Sequence, residues 1–178
     1  AIARRREPLS REAPDRAGPR RGWRRVLVAL ATGVLLVQTI AAQVDARWLG
    51  TWTFNPAKSV DAGQQPFKRG TLTIEPSGDG VKITYNLFRE RGGVAHLEWT
   101  GRFDGRDYPL QGIDGYSVTN AYRRLDDRRY EIVQKVDGMV STTATISLLP
   151  DEKTLTTITR GRNALGGDVV TTSVYEKR

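Results

Sequence analysis

"RWLGTWTFNPAKS", residues Arg47–Ser59, places two of the chain's four tryptophans four residues apart, with Gly50 between them. Indole side chains bury more apolar surface than almost any other residue, so two of them in a short, otherwise polar stretch need a structural reason. The stretch divides into a strand-like "LGTWTF" and a turn-like "NPAKS". A short helical turn between Pro56 and Asp61 fits the second half.

The chain beyond this point alternates. "GTLTIEP" (Gly70–Pro76) leads to "SGDG" (Ser77–Gly80), a tight-turn signal. "VKITYNLFRE" then puts Val81, Ile83, Tyr85 and Leu87 on one face at period two. "VAHLEWTGRF" puts Leu97, Trp99 and Phe103 on one face and His96, Glu98 and Arg102 on the other. "YSVTNAYRRL", "RYEIVQKV", "MVSTTATISLL", "KTLTTITR" and "DVVTTSVYEKR" follow, separated by turn-forming residues. This makes about nine strand candidates with short connections, hence antiparallel neighbours. Such a meander avoids exposed edges most simply by closing on itself. The later strands carry threonines on both faces, which suits solvent-facing β positions or a barrel with a partly polar interior.

The formal charge of +8 is unevenly spread. Residues 1–43 hold 9 Arg and 3 acidic residues; residues 44–178 hold 19 basic and 17 acidic residues. The barrel region therefore lacks the basic field that nucleic-acid binding requires, and no nucleic-acid partner is expected. Arg20, Arg21, Arg24 and Arg25 precede the apolar "VLVALATGVLLVQTIAA" (Val26–Ala42), the form of a secretory signal. We expect a basic, disordered leader over 1–22, an apolar signal region over 23–43 cleaved a few residues before or after Ala42, and a barrel over 44–178. The product is expected to be exported, periplasmic or secreted, and to meet a membrane only through the signal segment. Without cysteine the chain has no disulfide, no thiolate metal ligand and no cysteine nucleophile.

Leu49-Gly50-Thr51-Trp52 and the terminal Val174-Tyr175-Glu176-Lys177 resemble the calycin group, which comprises lipocalins and fatty-acid-binding proteins. More closely, "LGTW..NPAKS", "GRDYPLQG" (Gly105–Gly112) and "YEKR" (Tyr175–Arg178) are similar to small exported bacterial lipocalin-like proteins of unknown function. The resemblance implies an all-β, antiparallel, up-and-down calycin-type barrel of roughly 8–10 strands. It implies that Gly50 and Trp52 cap one end, with Gly50 admitting a neighbouring group, and that the last strand closes on the first. Trp48 is expected to be more exposed than Trp52. In many fatty-acid-binding proteins an Arg-x-Tyr on the last strand holds a carboxylate. Here Tyr175 matches the tyrosine, but Ser173 stands where the arginine would be. Arg160 on the preceding strand is the remaining candidate cation, with its facing undetermined by the pattern.

The expected ligand-contacting residues are Tyr85, His96, Trp99, Asp107, Tyr108, Tyr116 and Tyr175. Asp107-Tyr108-Pro109 is read as lying between strands at the barrel mouth, with Asp114 and Tyr116 nearby. His96 is the single histidine, with Glu98 beside it to orient it. No catalytic set, metal site or cofactor fingerprint is recognised. The preferred function is noncovalent binding of a small hydrophobic or amphipathic molecule. The alternatives are a ligand-free structural or interaction module of the cell envelope and, less favoured, an enzyme using His96, Glu98 or Asp107. The sequence leaves the oligomeric state open.

Overall fold

A computed structural model describes residues 44–60, 67–163 and 165–178. The expected leader and signal region lie outside the described residues. The apolar alternation becomes ten antiparallel strands: Gly50–Phe54 (β1), Phe67–Ser77 (β2), Gly80–Arg89 (β3), Val94–Gly101 (β4) and Asp104–Gln111 (β5), then Val118–Asp126 (β6), Arg129–Val136 (β7), Met139–Leu148 (β8), Thr154–Arg162 (β9) and Asp168–Lys177 (β10). Each strand pairs with its sequence neighbours, and β1 pairs with β10, so the sheet is a closed up-and-down barrel. This is the all-β, antiparallel, up-and-down barrel expected, with ten strands. Closure places Trp52 opposite Lys177 and Phe54 opposite Tyr175.

β5 corrects the reading of Asp107-Tyr108-Pro109 as a turn between strands. Proline lacks the donor a central strand needs and is tolerated where the ladder is weak. Here the β4–β5 ladder is confined to Glu98↔Gln111 and Trp99↔Leu110. Tyr108 packs edge-on against Trp99 at 5.8 Å and lies over Gly101, where a Cβ would meet its ring at 2.6 Å. Absence of a side chain at Gly101 therefore makes room for the tyrosine.

The spacing of the two opening tryptophans is explained at the closed end. Ala46–Trp48 forms one 3-10 turn capped by Asp45. That turn folds the chain back so that the Trp52 indole N–H donates to the Trp48 carbonyl at 3.0 Å. The Lys177 ammonium lies 4.9 Å from the Trp52 ring centroid and donates to the Arg47 carbonyl at 2.8 Å. Trp52 is fully buried, as a cap should be. Trp48 is only 2% exposed, against expectation, because it meets Tyr130 edge-on at 4.9 Å. Gly50 also has a different role from the one expected. An added Cβ would make only ordinary contact with Lys177 at 3.7 Å, but φ is +114°, which other residues rarely adopt.

Outside this plug, Arg47 bridges Asp45 and Glu152, and Glu152 also pairs with Arg128 at 3.2 Å. Asp126 and Asp127, which the sequence presents as adjacent carboxylates, pair with Arg129 and Arg124. Glu152 thus ties the β8–β9 turn to the β6–β7 turn, while Asp126 and Asp127 pair within their own hairpin.

Candidate ligand-binding cavity

Inward-facing side chains shrink from the closed end to the open end. On β8 the series is Leu148, Ile146, Ala144, Thr142. On β9 it is Leu155, Thr157, Thr159, and on β10 it is Tyr175, Ser173, Thr171. Large residues meet across the barrel axis and exclude solvent; small ones leave space between opposite walls. The space is a cavity of about 540 Å³. That falls within the roughly 300–1,000 Å³ typical of small-molecule sites.

Its early-strand wall is apolar, formed by Phe54, Phe67, Leu87, Leu97 and Leu110. Its late-strand wall presents the hydroxyls of Thr142, Thr157, Thr159, Thr171 and Ser173. Among the described residues that line it, Glu90 carries the only charge. Arg160 lies on the outward face of β9 and is exposed, which settles its direction. Arg89 stands at the mouth, with its guanidinium 5.3 Å from the Phe67 ring centroid.

The floor is built on β6. The Trp99 indole N–H donates to the Asn120 carbonyl at 3.0 Å and fixes that strand against β4. Trp99 then packs on Tyr122 at 4.3 Å and on Phe103 at 6.1 Å, and Phe103 on Tyr130 at 4.3 Å. This aromatic layer separates the cavity from the plug. Above it the hydroxyls of Tyr85 and Tyr122 lie 3.3 Å apart. Burial raises the pKa of both phenols and of Tyr175, because ionisation away from water is costly. All three are neutral at physiological pH and act as hydrogen-bonding groups rather than anions. Asn120 is 5% exposed; its Oδ1 is enclosed without a hydrogen-bond partner, while a hydrogen bond from its side chain partly opposes the rise at Tyr122.

Of the residues expected to contact a ligand, Tyr85 and Tyr175 line the cavity. Trp99 lies in the layer beneath it. His96 is on the outer face with its side chain 57% exposed, its Nδ1 2.7 Å from Asn86 Oδ1 and its Nε2 3.5 Å from Glu98. The odd parity of β4 sends Leu97 and Trp99 inward, so His96 and Glu98 point to solvent. Asp107 is also on the outer face, paired with Lys135 at 2.7 Å. Tyr108 fills the β4–β5 seam and donates to Asp104 at 3.0 Å. Tyr116 is exposed in the loop between β5 and β6. The geometry thus brings two of the seven candidates together at the cavity.

Sequence reasoning missed Asn120, Tyr122 and Gln134. The signal was present in "SVTNAY": period two puts Asn120 on the same face as Val118 and Tyr122. A carboxamide between two apolar residues on an inward face is a polar group placed in an interior.

No protein-family model and no curated protein matches the chain. Among solved structures it is similar to the fluorescent protein UnaG in its N57A mutant form, with 18% identity and a TM-score of 0.49. The likeness covers 74% of this chain and 96% of that one.

Proposed function

We propose that this chain is an exported lipocalin-like barrel that binds, without covalent chemistry, a small, partly apolar and uncharged molecule in its cup. The observation that carries this reading is a cavity of about 540 Å³ whose lining combines apolar side chains with hydroxyls and, among the described residues, holds no cation. A carboxylate carried into such a site would lose its hydration without gaining a partner, and that loss is worth several kcal/mol. A neutral amphipath loses little, since its polar head exchanges water for threonine, serine and tyrosine hydroxyls. Ser173 lines the cavity opposite Thr157, in the place where the resemblance would call for an arginine. Export rests on the basic-then-apolar leader of the sequence.

Native mass spectrometry of the protein purified from its own host is the test. The expected result is a chain beginning near residue 44 that carries an additional mass released by organic solvent. A full-length chain in the cytosolic fraction would contradict export. A chain with no additional mass that also fails to take up a neutral dye such as Nile red would contradict binding.

A further inference from the structure

We infer that the ligand is facially amphipathic: a rigid, uncharged molecule that carries its hydroxyls or other neutral polar groups along one face rather than at one end. The inference rests on the binding reading above and names the ligand class of the same cavity. Two observations carry it: where the polar and apolar walls stand around the barrel, and how far the polar wall runs along its axis.

In the ring of ten strands, β9 lies five strands from β4 in either direction, so the two face each other across the axis. β9 and its neighbours β8 and β10 supply Thr142, Thr157, Thr159, Thr171 and Ser173 to the cavity. β4 and its neighbours β3 and β5 supply Leu87, Leu97 and Leu110. A molecule held between these walls meets hydroxyls on one side and hydrocarbon on the other.

The polar wall is a grid rather than a point. Thr159 pairs with Thr171 across the β9–β10 ladder, and Thr157 with Ser173. Gln134, paired with Thr142, extends the grid onto β7. Alternate residues of one strand stand about 6.8 Å apart, and cross-strand neighbours about 5 Å. On β10 the inward series Tyr175, Ser173, Thr171 carries polar groups over about 13 Å, from the floor toward the mouth. Valine has nearly the same volume as threonine and suits a strand equally well, so hydroxyls at successive inward positions provide donors and acceptors for an occupant.

These wall hydroxyls are also reachable. No hydrogen bond joins them to another group outside the wall among the described residues. Nor are they among the enclosed, unpaired side-chain atoms of those residues, which are Trp48 Nε1 and Asn120 Oδ1. Elsewhere in the cavity the Tyr85 and Tyr122 hydroxyls are 3.3 Å apart and engage one another. A polar group on the ligand's other face would lie against leucine and lose its water without a partner. A linear chain with one polar end would match one level of the grid and lay hydrocarbon against the rest.

Calorimetric titration of the full chain with two androstane diol epimers tests this. One carries both hydroxyls on the same ring face, and the other carries one on each face; they are otherwise identical. The expected result is tighter binding of the same-face epimer by about tenfold or more, the scale of one polar group buried without a partner. In the double variant Thr159→Val, Thr171→Val that ratio should fall toward unity. Thr159→Val alone, with a smaller fall, serves if melts show that the double variant does not fold. Equal binding of the epimers by the wild-type protein, or tighter binding of the opposite-face one, would overturn the inference and leave the binding reading standing. So would uptake of Nile red with neither epimer bound. A same-face preference undiminished in the folded variants would place its source on another wall and overturn the inference too. A wild-type chain that takes up neither diol nor Nile red would overturn the binding reading, and this inference with it.

Discussion

The two ends of the barrel are built from the same strands and the same alternation, yet one is a plug and the other a cup. At the closed end Trp48, Trp52, Trp99, Leu72, Leu148 and Leu155 are almost wholly buried. Charged pairs such as Arg47–Glu152 and Arg128–Glu152 lie over them. At the open end the inward positions of β8 to β10 hold threonine, serine and alanine, and apolar side chains are exposed at strand ends and between strands: Val60, Val94, Tyr116 and Met139. The difference lies in side-chain volume at fixed parity. Alternation decides which residues face inward, and their size decides whether the interior is filled or hollow. Stability and binding are therefore expected to separate along the barrel axis, and substitutions at the two ends should show it.

The largest effect is expected at the plug. Trp52→Ala removes a fully buried indole, its hydrogen bond to Trp48 and the surface under Lys177. It should cost about 3–5 kcal/mol in denaturant melts. Trp48→Ala should cost a similar amount, since Trp48 is sealed against Tyr130. A small loss at both positions would break the contrast between the ends.

A smaller effect is expected over the plug at its solvent side. Hydrogen bonds from Arg47 hold the Asp45 carboxyl down to about 2, from an ordinary value of 3.8. A depressed carboxyl contributes stability above its unfolded value, and that contribution is lost as pH falls through the folded one. Both side chains are about a third exposed, so screening limits the contribution to about 1 kcal/mol or less. Asp45→Asn should thus destabilise slightly at neutral pH and flatten the stability loss between pH 3.8 and about 2. An unchanged slope in acid melts would remove Asp45 from the account.

The smallest stability effect is expected in the cup. Thr157→Val exchanges a half-buried hydroxyl on the cavity wall for a methyl group of equal shape. Melts should shift by no more than about 0.5 kcal/mol. Affinity for a neutral amphipath should change more than stability does. A loss on the scale of the plug variants would mean that the cavity wall is structural core.

The fold was legible because period two is a strong signal and the turns between strands are short. β5 was not, since Gly105, Asp107 and Pro109 lower its strand character, and only the weak β4–β5 seam allows them. The cavity lining was legible at two of the seven candidate positions. Parity and resemblance placed Tyr85 and Tyr175 on the cavity wall. His96, Asp107 and Tyr116 were chosen for their chemistry, but parity or loop position directs them to solvent. Arg160 sits beside Ile158 in an ambiguous pattern, and only pairing across β8 and β10 fixes which threonines of β9 face inward. The size gradient on β8 was readable in "TATISL", but its meaning depends on the opposite wall, which sequence order does not reveal.

The central proposal is that the cup takes an uncharged head because its lining, among the described residues, supplies no cation. Calorimetric titration of the full chain with a medium-chain fatty acid and its matching alcohol, at neutral pH, tests it most directly. The account predicts that the alcohol binds more tightly by about tenfold or more, a difference of about 1.4 kcal/mol. Tighter binding of the acid, abolished by Arg89→Gln, would contradict it and show that the guanidinium now lying over Phe67 turns inward to meet a carboxylate.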